Sequence, residues 1–318
     1  MFALLFSLAA SQVKLGLTDE RKFINWMREN NCFYTGDEYN FRLGLFISHA
    51  RWVQEFNRQS GLTFQVTVNK FSCYTPAEYK AILGGLPKNT VQRPEITKAK
   101  GDVPDSFDWR TKNVVNPIKD QAACGSCWAF SSIATSETAY ALTSGKLLSF
   151  SEQNLVDCAP CYGCNGGWSD TACDYVIAAQ KGQFNSETDY PYTAVDGECS
   201  FDASKGIGEI KRLINVARTS EEDLKEKVAT YGVASISISA GNTPFMSYKS
   251  GILDDRECQG AFIDHAVACV GYGSEDGVDY WIVRNSWGTS WGEEGYVRMI
   301  RNKNNQCSVA TQAFVAVD

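Results

Sequence analysis

A cysteine, a histidine and an asparagine in this chain have the types and spacing for nucleophilic chemistry. Cys127 lies in the run Cys124-Gly125-Ser126-Cys127-Trp128, and the 318-residue chain holds only two histidines, His49 and His265. A cysteine nucleophile acts as its thiolate and needs a base nearby, a task suited to histidine because it titrates near neutral pH. His265 lies 138 residues downstream (265 − 127), and Asn285, in Asn285-Ser286-Trp287-Gly288, follows 20 residues later. A thiolate can attack a carbonyl carbon while an imidazole carries the proton to the leaving group. Taken singly, Cys127 could be a disulfide partner, His265 a structural histidine in Ile263-Asp264-His265-Ala266, and Asn285 a surface residue. Cys124 is the better candidate for bonding, and no histidine other than His265 follows His49, so the catalytic reading is the stronger.

These residues are far apart in sequence, so separate elements must bring them together. Trp128, Phe130, Ile133, Ala134 and Tyr140, stopped by Gly145, predict a helix that opens at Cys127. A loop-rich, glycine-rich cysteine cluster follows at about 158–173. Beyond about residue 210 the pattern turns to strands: Ala234–Ser239 alternates, and Ala266–Val270, Tyr280–Arg284 and Gly295–Ile300 are strand-like runs separated by glycine. Helices first and antiparallel strands second predict an α+β protein of two lobes, with the site in the cleft between them.

Upstream, residues from about 18 to 60 predict two helices. Thr18, Asp19 and Glu20 supply an N-cap and first-turn acids ahead of Phe23, Trp26 and Met27. In the second helix Glu38, Arg42, Phe46, His49, Val53 and Asn57 advance in steps of four or three, which makes one stripe. Spacing alone would fit a solvated amphipathic helix. Residues about 86–103 carry scattered Pro, Lys, Arg and Thr with little apolar periodicity, as expected of an exposed, cleavable linker.

A chain of this length can bury a substantial core and hold two domains. Its net charge of −7 gives no reason to expect nucleic acid or an anionic membrane as partner. The stretch Phe2–Ser11 is apolar, ends in small residues and is too short to span a bilayer; residues 1–13 read as a secretory signal, although no basic residue precedes them. No later stretch is long and apolar enough to cross a membrane. Twelve cysteines, clustered after Val103, point to an oxidising compartment and a disulfide framework.

The cysteine signature with its distant histidine and asparagine resembles the papain-like, cathepsin L-type cysteine proteases over nearly the whole chain, and a protozoan, amoeba-like member is expected. The helix ladder is similar to the family's Glu-Arg-Phe-Asn-Ile-Asn propeptide pattern, with His49 for Asn and Val53 for Ile. Thr67, Asn69, Phe71 and Cys73 fall on its Gly-x-Asn-x-Phe-x-Asp motif, where Cys73 replaces the acid. The resemblance implies a signal at 1–13, an inhibitory propeptide at 14–102 and a peptidase domain at 103–318, activated by cleavage between about Lys98 and Val103. It implies a helical lobe and an antiparallel β-barrel lobe, with the propeptide running through the cleft. Acidification is expected to release that segment by weakening ion pairs such as Glu38 with Arg42, with His49 adding sensitivity to pH.

By the same resemblance, Cys127 is the nucleophile, His265 the proton carrier and Asn285 the residue that orients its ring, shielded by Trp287. Gln121 and the Cys127 N–H are expected to form the oxyanion hole. Gly125, Gly166 and Gly167 would let a substrate backbone approach closely, and Asp264 would offer a main-chain carbonyl opposite. Trp168, Ser169, Ile236, Ile263 and Ala266 are expected to line the second substrate pocket, with Gln312 near its base. Gln312 and Asp170 leave both a hydrophobic and an arginine preference open. Implied disulfides are Cys124–Cys164, Cys158–Cys199 and Cys258–Cys307, with Cys161–Cys173 a possible fourth and Cys269 a buried thiol. No cofactor or metal is implied. Expected partners are protein and peptide substrates, the chain's own propeptide and cystatin-like inhibitors; the protein should be a monomer, lysosomal, in another acidic vesicle, or secreted.

Two other classes compete. Cys158-x-x-Cys161-x-x-Cys164 with Cys173 resembles zinc or iron–sulfur ligand spacing, which would make a metal-bound module. A catalytically silent papain-like binding protein is the second, although such proteins usually lose the nucleophile or base, and both are present here.

Overall fold

Aromatic side chains join the first two helices, as their apolar spacing demands. The computed structural model describes residues 17–86 and 103–318; the expected signal at 1–13 and the expected cleavage segment between Lys98 and Val103 lie outside them. Helix α1 (Leu17–Glu29) packs on α2 (Gly36–Phe56) through Phe23, Trp26 and Phe46, whose ring centroids lie 5.5–6.0 Å apart. Along the α2 ladder Phe46, His49 and Val53 are buried. Asn57, just past the helix end, exchanges two hydrogen bonds with the Val66 main chain (2.8 and 3.0 Å) and so holds strand β1 (Phe64–Val66).

Arg42, on α2, is held by two carboxylates, Glu38 and Glu78. Cys73 is fully buried, and Arg42 donates to its carbonyl (2.7 Å). Arg42 grips Glu78 through both terminal nitrogens at 2.6 and 2.5 Å, and holds Glu38 at 2.6 Å. Glu78 belongs to a capping box: the Thr75 hydroxyl accepts from the Glu78 N–H, and the Glu78 carboxylate accepts from the Thr75 N–H. That box starts helix α3 (Pro76–Leu83) and fixes it to α2. The signal was present as Thr75-Pro76-Ala77-Glu78. The helix stops at Gly84, whose φ of +46° turns the chain into the cleft.

The second part begins with β2 (Phe107–Asp108), followed by α4 (Cys127–Ser144), α5 (Glu152–Cys158) and α6 (Ser169–Ala179). Strand β3 (Arg212–Asn215), α7 (Glu221–Tyr231), β4 (Ala234–Ile238) and the short α8 (Thr243–Met246) come next. Strands β5 (Tyr248–Leu253), β6 (His265–Glu275), β7 (Val278–Arg284), β8 (Tyr296–Ile300) and β9 (Gln312–Val317) complete the chain. One sheet runs β1-β5-β8-β7-β6-β4-β9-β3, with β2 beside β6. Its pairings are antiparallel except β5 with β8. Helix α4 is buried almost throughout and lies between the helical core (Trp128, Ile133, Phe150, Leu155, Val176, Phe184) and the sheet.

The N-terminal segment is part of this architecture. Strand β1 adds to the edge of β5, and Phe64, Val66, Phe71, Tyr79, Ile82 and Leu83 join the core beneath the sheet. Covering an edge strand and an apolar surface together makes docking a folding event rather than a surface contact.

Disulfides join Cys124–Cys164, Cys158–Cys199 and Cys258–Cys307, the implied pairs. Cys161 and Cys173 are not joined: Cys173 lies in the helical core with its Sγ 3.9 Å from Ser136 Oγ, whereas the Cys161 Sγ lies 3.9 Å from the Trp168 carbonyl. Cys269 is a buried thiol on β6. With Cys158 and Cys164 consumed in disulfides, the metal-module reading loses two of its four thiolates. None of the helices among the described residues is long and apolar enough to cross a membrane.

Removing the Glu78 carboxylate should loosen α3 from α2. In a Cys127→Ala background, Glu78→Ala is expected to cost the N-terminal domain about 1 kcal/mol, its partial exposure keeping the loss modest. Urea unfolding measures this, and an unchanged midpoint would mean that Glu38 alone satisfies Arg42.

Candidate active site

Cys127 is the first residue of α4, and His265 the first of β6, so the lobe junction brings them together. A single atom lies against both: the carbonyl oxygen of Leu83, at the end of α3. The Cys127 thiol donates to it at 2.7 Å, and His265 Nδ1 lies 3.3 Å from it. The Ala266 N–H points at the sulfur from the other side (3.3 Å).

On the far edge of the imidazole, Nε2 is 2.8 Å from Asn285 Oδ1, which also accepts the Ser286 N–H at 2.8 Å. An amide oxygen that only accepts assigns the ring proton to Nε2, leaving the Nδ1 lone pair on the thiol side. Trp287 stacks on the ring at 4.8 Å and 26°, itself without solvent exposure. Phe245 closes a further edge at 6.2 Å.

Gln121 precedes α4 and is fully buried. Its Nε2 donates to the carbonyls of Ile82 (2.7 Å) and Cys124 (2.8 Å), and its Oε1 accepts from the Ser286 hydroxyl (2.6 Å). Ser286 therefore decides which end of the amide faces the cleft. Sequence reasoning named its neighbours but not Ser286; its place inside Asn285-Ser286-Trp287 was the available signal.

The chain's own residues 84–86 lie along the cleft as a strand would. Gly85 N–H donates to the Asp264 carbonyl (2.9 Å), Gly167 N–H to the Gly84 carbonyl (2.9 Å), and Leu86 N–H to the Gly167 carbonyl (3.3 Å). Gly166, at φ +113°, passes so near that a Cβ would sit 2.8 Å from the Gly84 carbonyl oxygen. Gly125 lies against Gly84 and donates to the Cys164 carbonyl (2.9 Å).

Leu86 lines a cavity together with Gly167, Trp168, Ser169, Ala266 and Gln312, and with Asp170, Asn215 and Ser237. Ile236 and Ile263 do not line it. On β4 side chains alternate, and Ile236 points into the sheet core with no exposure while its neighbour Ser237 turns to the cavity. Assigning Ile236 was an error of one residue in strand register. Ile263 is likewise buried.

Covering the site changes its charge state. Cys127 and His265 have no solvent exposure. Burial pushes the thiol up to about 12 and the imidazole down to about 4, so both are neutral here, and the thiolate–imidazolium pair is not the state of this precursor. The blocking peptide is also misaligned for attack. The sulfur faces the oxygen of Leu83 rather than its carbon, while the Gln121 amide holds the carbonyl of the preceding residue.

A thiol and an oriented imidazole at a lobe junction, covered by the chain's own backbone, make up the site of a thiol hydrolase held shut. Residues 103–317 match the papain family cysteine protease and residues 23–79 the cathepsin propeptide inhibitor domain (I29). The chain is 40% identical over 290 residues to digestive cysteine proteinase 2 of Homarus americanus, covering 88% of this chain and 89% of that one. Against pro-cathepsin H of Mus musculus it is 38% identical over 313 residues, covering 96% and 92%. It superposes on the digestive procathepsin L2 proteinase of the Tenebrio molitor larval midgut with a TM-score of 0.88 at 36% identity, covering 94% of this chain and all (100%) of that one. The chain belongs to the papain family of cysteine proteases and is a zymogen with its propeptide domain in place.

The neutral, covered thiol should be unreactive. At pH 7, iodoacetamide is expected to alkylate Cys127 at least about 100-fold more slowly in the intact precursor than in the matured enzyme. Equal rates would show that the cleft opens freely without cleavage.

Proposed function

We propose that the matured enzyme is an endopeptidase in which Cys127 attacks the scissile carbonyl carbon and His265 relays the proton. Once the cleft is open the thiol proton passes to Nδ1, the thiolate forms the C–S bond as the carbonyl oxygen takes up the charge, and the imidazolium gives the Nδ1 proton to the leaving amine as the C–N bond breaks. Water hydrolyses the thioester with the same imidazole as base. Asn285 keeps the ring turned, Trp287 keeps water from that bond, and the Gln121 amide with the Cys127 N–H receives the oxyanion. The observation that carries this reading is the docked segment itself: a peptide backbone pairs with Gly167 and Asp264 while presenting one carbonyl to Gln121 and the next to Cys127. Removing that segment lets solvent and substrate dipoles stabilise the ion pair that burial forbids.

Leu86 lines the second pocket in the precursor, and Ser237 leaves it wider than an isoleucine would. This favours an apolar side chain in substrates, despite the polar Gln312 and Asp170. The proteolytic machinery lies in residues 103–318, the propeptide in 14–102, and a signal in 1–13, with maturation between Lys98 and Val103. Cystatin-like inhibitors would enter the same cleft. We place the enzyme as a monomer in lysosomes or other acidic vesicles, or outside the cell; three disulfides and relatives named digestive proteinase and pro-cathepsin support this. The expected protozoan origin has no support in the relatives named above.

Cleavage of a peptide library after acid treatment, in reductant, tests the reading. Hydrolysis should vanish in Cys127→Ala and fall about 100- to 1,000-fold in Gln121→Ala, with apolar residues dominating the second pocket. A Gln121→Ala rate within about threefold of the parent would remove its oxyanion role, and dominance of arginine would overturn the pocket assignment.

Acid release has a candidate trigger in His49. Its Nε2 lies 2.7 Å from Ser247 Oγ of the peptidase domain, its ring stacks on Trp52, and burial lowers its pKa from 6.5 to about 4. A group whose bound pKa is depressed in this direction takes up a proton on release. Docking therefore keeps its full contribution above 6.5 and loses up to about 3 kcal/mol as pH falls toward 4. Tyr74, Tyr79, Lys80 and Asp264 share its cavity. Buried Asp264, raised to about 6, works in the opposite sense, since acidification removes its penalty for being covered. Glu78, held down to about 2 by Arg42, loses its contribution only as pH falls below 4.5. Replacing His49 with Asn should shift the half-activation pH down by about 0.5–1 unit, and an unchanged activation profile would dismiss the trigger.

A further inference from the structure

We infer that Tyr192 is a positioning residue of the oxyanion hole, holding the two ends of the turn that carries both oxyanion donors. The inference rests on the role proposed above for Gln121 and the Cys127 N–H. Residues 121–126 join these donors through an irregular turn, in which Ala122 adopts a left-handed φ of +53°. A turn of that kind does not hold two donors in register by itself.

The Tyr192 hydroxyl meets both ends. It donates to the Gln121 carbonyl oxygen at 2.8 Å and lies 2.6 Å from Ser126 Oγ. A phenol has one proton, so with that proton on Gln121 the serine must be the donor in the second bond. Ser126 is the N-cap of α4, the place where a serine hydroxyl ordinarily caps the helix, yet it makes no capping bond. Here the hydroxyl is diverted to Tyr192, and the residue it steadies is next to the nucleophile.

Tyr192 is itself fixed from two directions. Its ring packs edge-on against Phe130, one turn into α4, with centroids 4.9 Å apart. Its backbone N–H donates to Glu187 Oε1 (3.0 Å), and the other oxygen of that carboxylate is 3.4 Å from Lys119 Nζ, two residues ahead of Gln121. The circuit runs from Lys119 through Glu187 and Tyr192 to Ser126, and from there through the turn to Gln121. The Cys124–Cys164 disulfide anchors the turn between its ends. Preorganised donors contribute to transition-state binding because they need no rearrangement as charge develops. Tyr192 supplies that rigidity without touching the substrate.

The test compares matured wild type, Tyr192→Phe and Gln121→Ala in amide hydrolysis and in alkylation of Cys127 by iodoacetamide across pH. Alkylation uses the thiolate but no oxyanion hole. Tyr192→Phe should lower kcat about 3- to 30-fold with KM changed less than about twofold, a smaller loss than removal of a donor itself. Its alkylation rate and pH profile should stay as in wild type. Ser126→Ala, which breaks the bridge from the other end, should show the same selective loss and serves if the phenylalanine variant does not fold. Unchanged hydrolysis in either folded variant, or parallel losses of hydrolysis and alkylation, overturns the inference. If Gln121→Ala hydrolyses like wild type, the oxyanion reading fails first, which separates the two failures.

Discussion

The carbonyl oxygen of Leu83 is the atom on which the precursor depends. It accepts the thiol proton of Cys127 and stands in front of His265, so one group occupies the place where the proton would pass between them. Its presence also excludes water, and in that dry setting neither a thiolate nor an imidazolium is stable. Inhibition thus has a steric and an electrostatic part with a common origin. The backbone pairing at Gly167 and Asp264 resembles strand addition, which gives the segment affinity without demanding much of its side chains.

Holding that oxygen in place is the task of everything upstream. Helix α3 ends at Leu83 and turns at Gly84, and its position follows from the Glu78 capping box and the Arg42 grip. Strand β1 on the edge of β5, with Phe71 and Tyr79 packed against Trp287, ties the same unit to the sheet lobe. Trp287 therefore belongs to two structures at once: it roofs the His265–Asn285 bond and forms part of the floor on which the propeptide sits. The fold makes coverage of the site and completion of its apolar core a single event.

The site proper is organised by donors and acceptors that leave few choices. Asn285 assigns the His265 proton, and Ser286 assigns the Gln121 amide. Beneath them Lys119 lies 2.7 Å from Glu152 and 3.9 Å from Glu137, both almost wholly buried, which joins the turn before α4 to the helical lobe. A buried charge of this kind, stripped of its partners, is costly, so the network fixes geometry more than it adds stability.

Much of this protein was legible in its residues. Cys127 with its flanking run, a histidine count of two and the Asn285-Ser286-Trp287 motif define the chemistry, because few side chains can do it and their order along the chain is distinctive. Period and punctuation gave α4 with its Gly145 stop, the α2 ladder and the strands β4, β6, β7 and β8, since those patterns are local. What the chain could not disclose depends on contacts between distant segments. A one-residue step on β4 separates Ser237 in the cavity from Ile236 in the core, and alternation fixes the period but not which face meets the cleft. The grip of Arg42 on Glu78 needed α2 and α3 in one place. Cys161 and Cys173 are near in sequence yet were left unbridged by the course of α6. Above all, the neutral state of Cys127 and His265 is a property of burial. Residue types and their order name the groups that can react, whereas Leu83 comes to stand between them only in the fold, because burial and proximity are made by the folded chain as a whole.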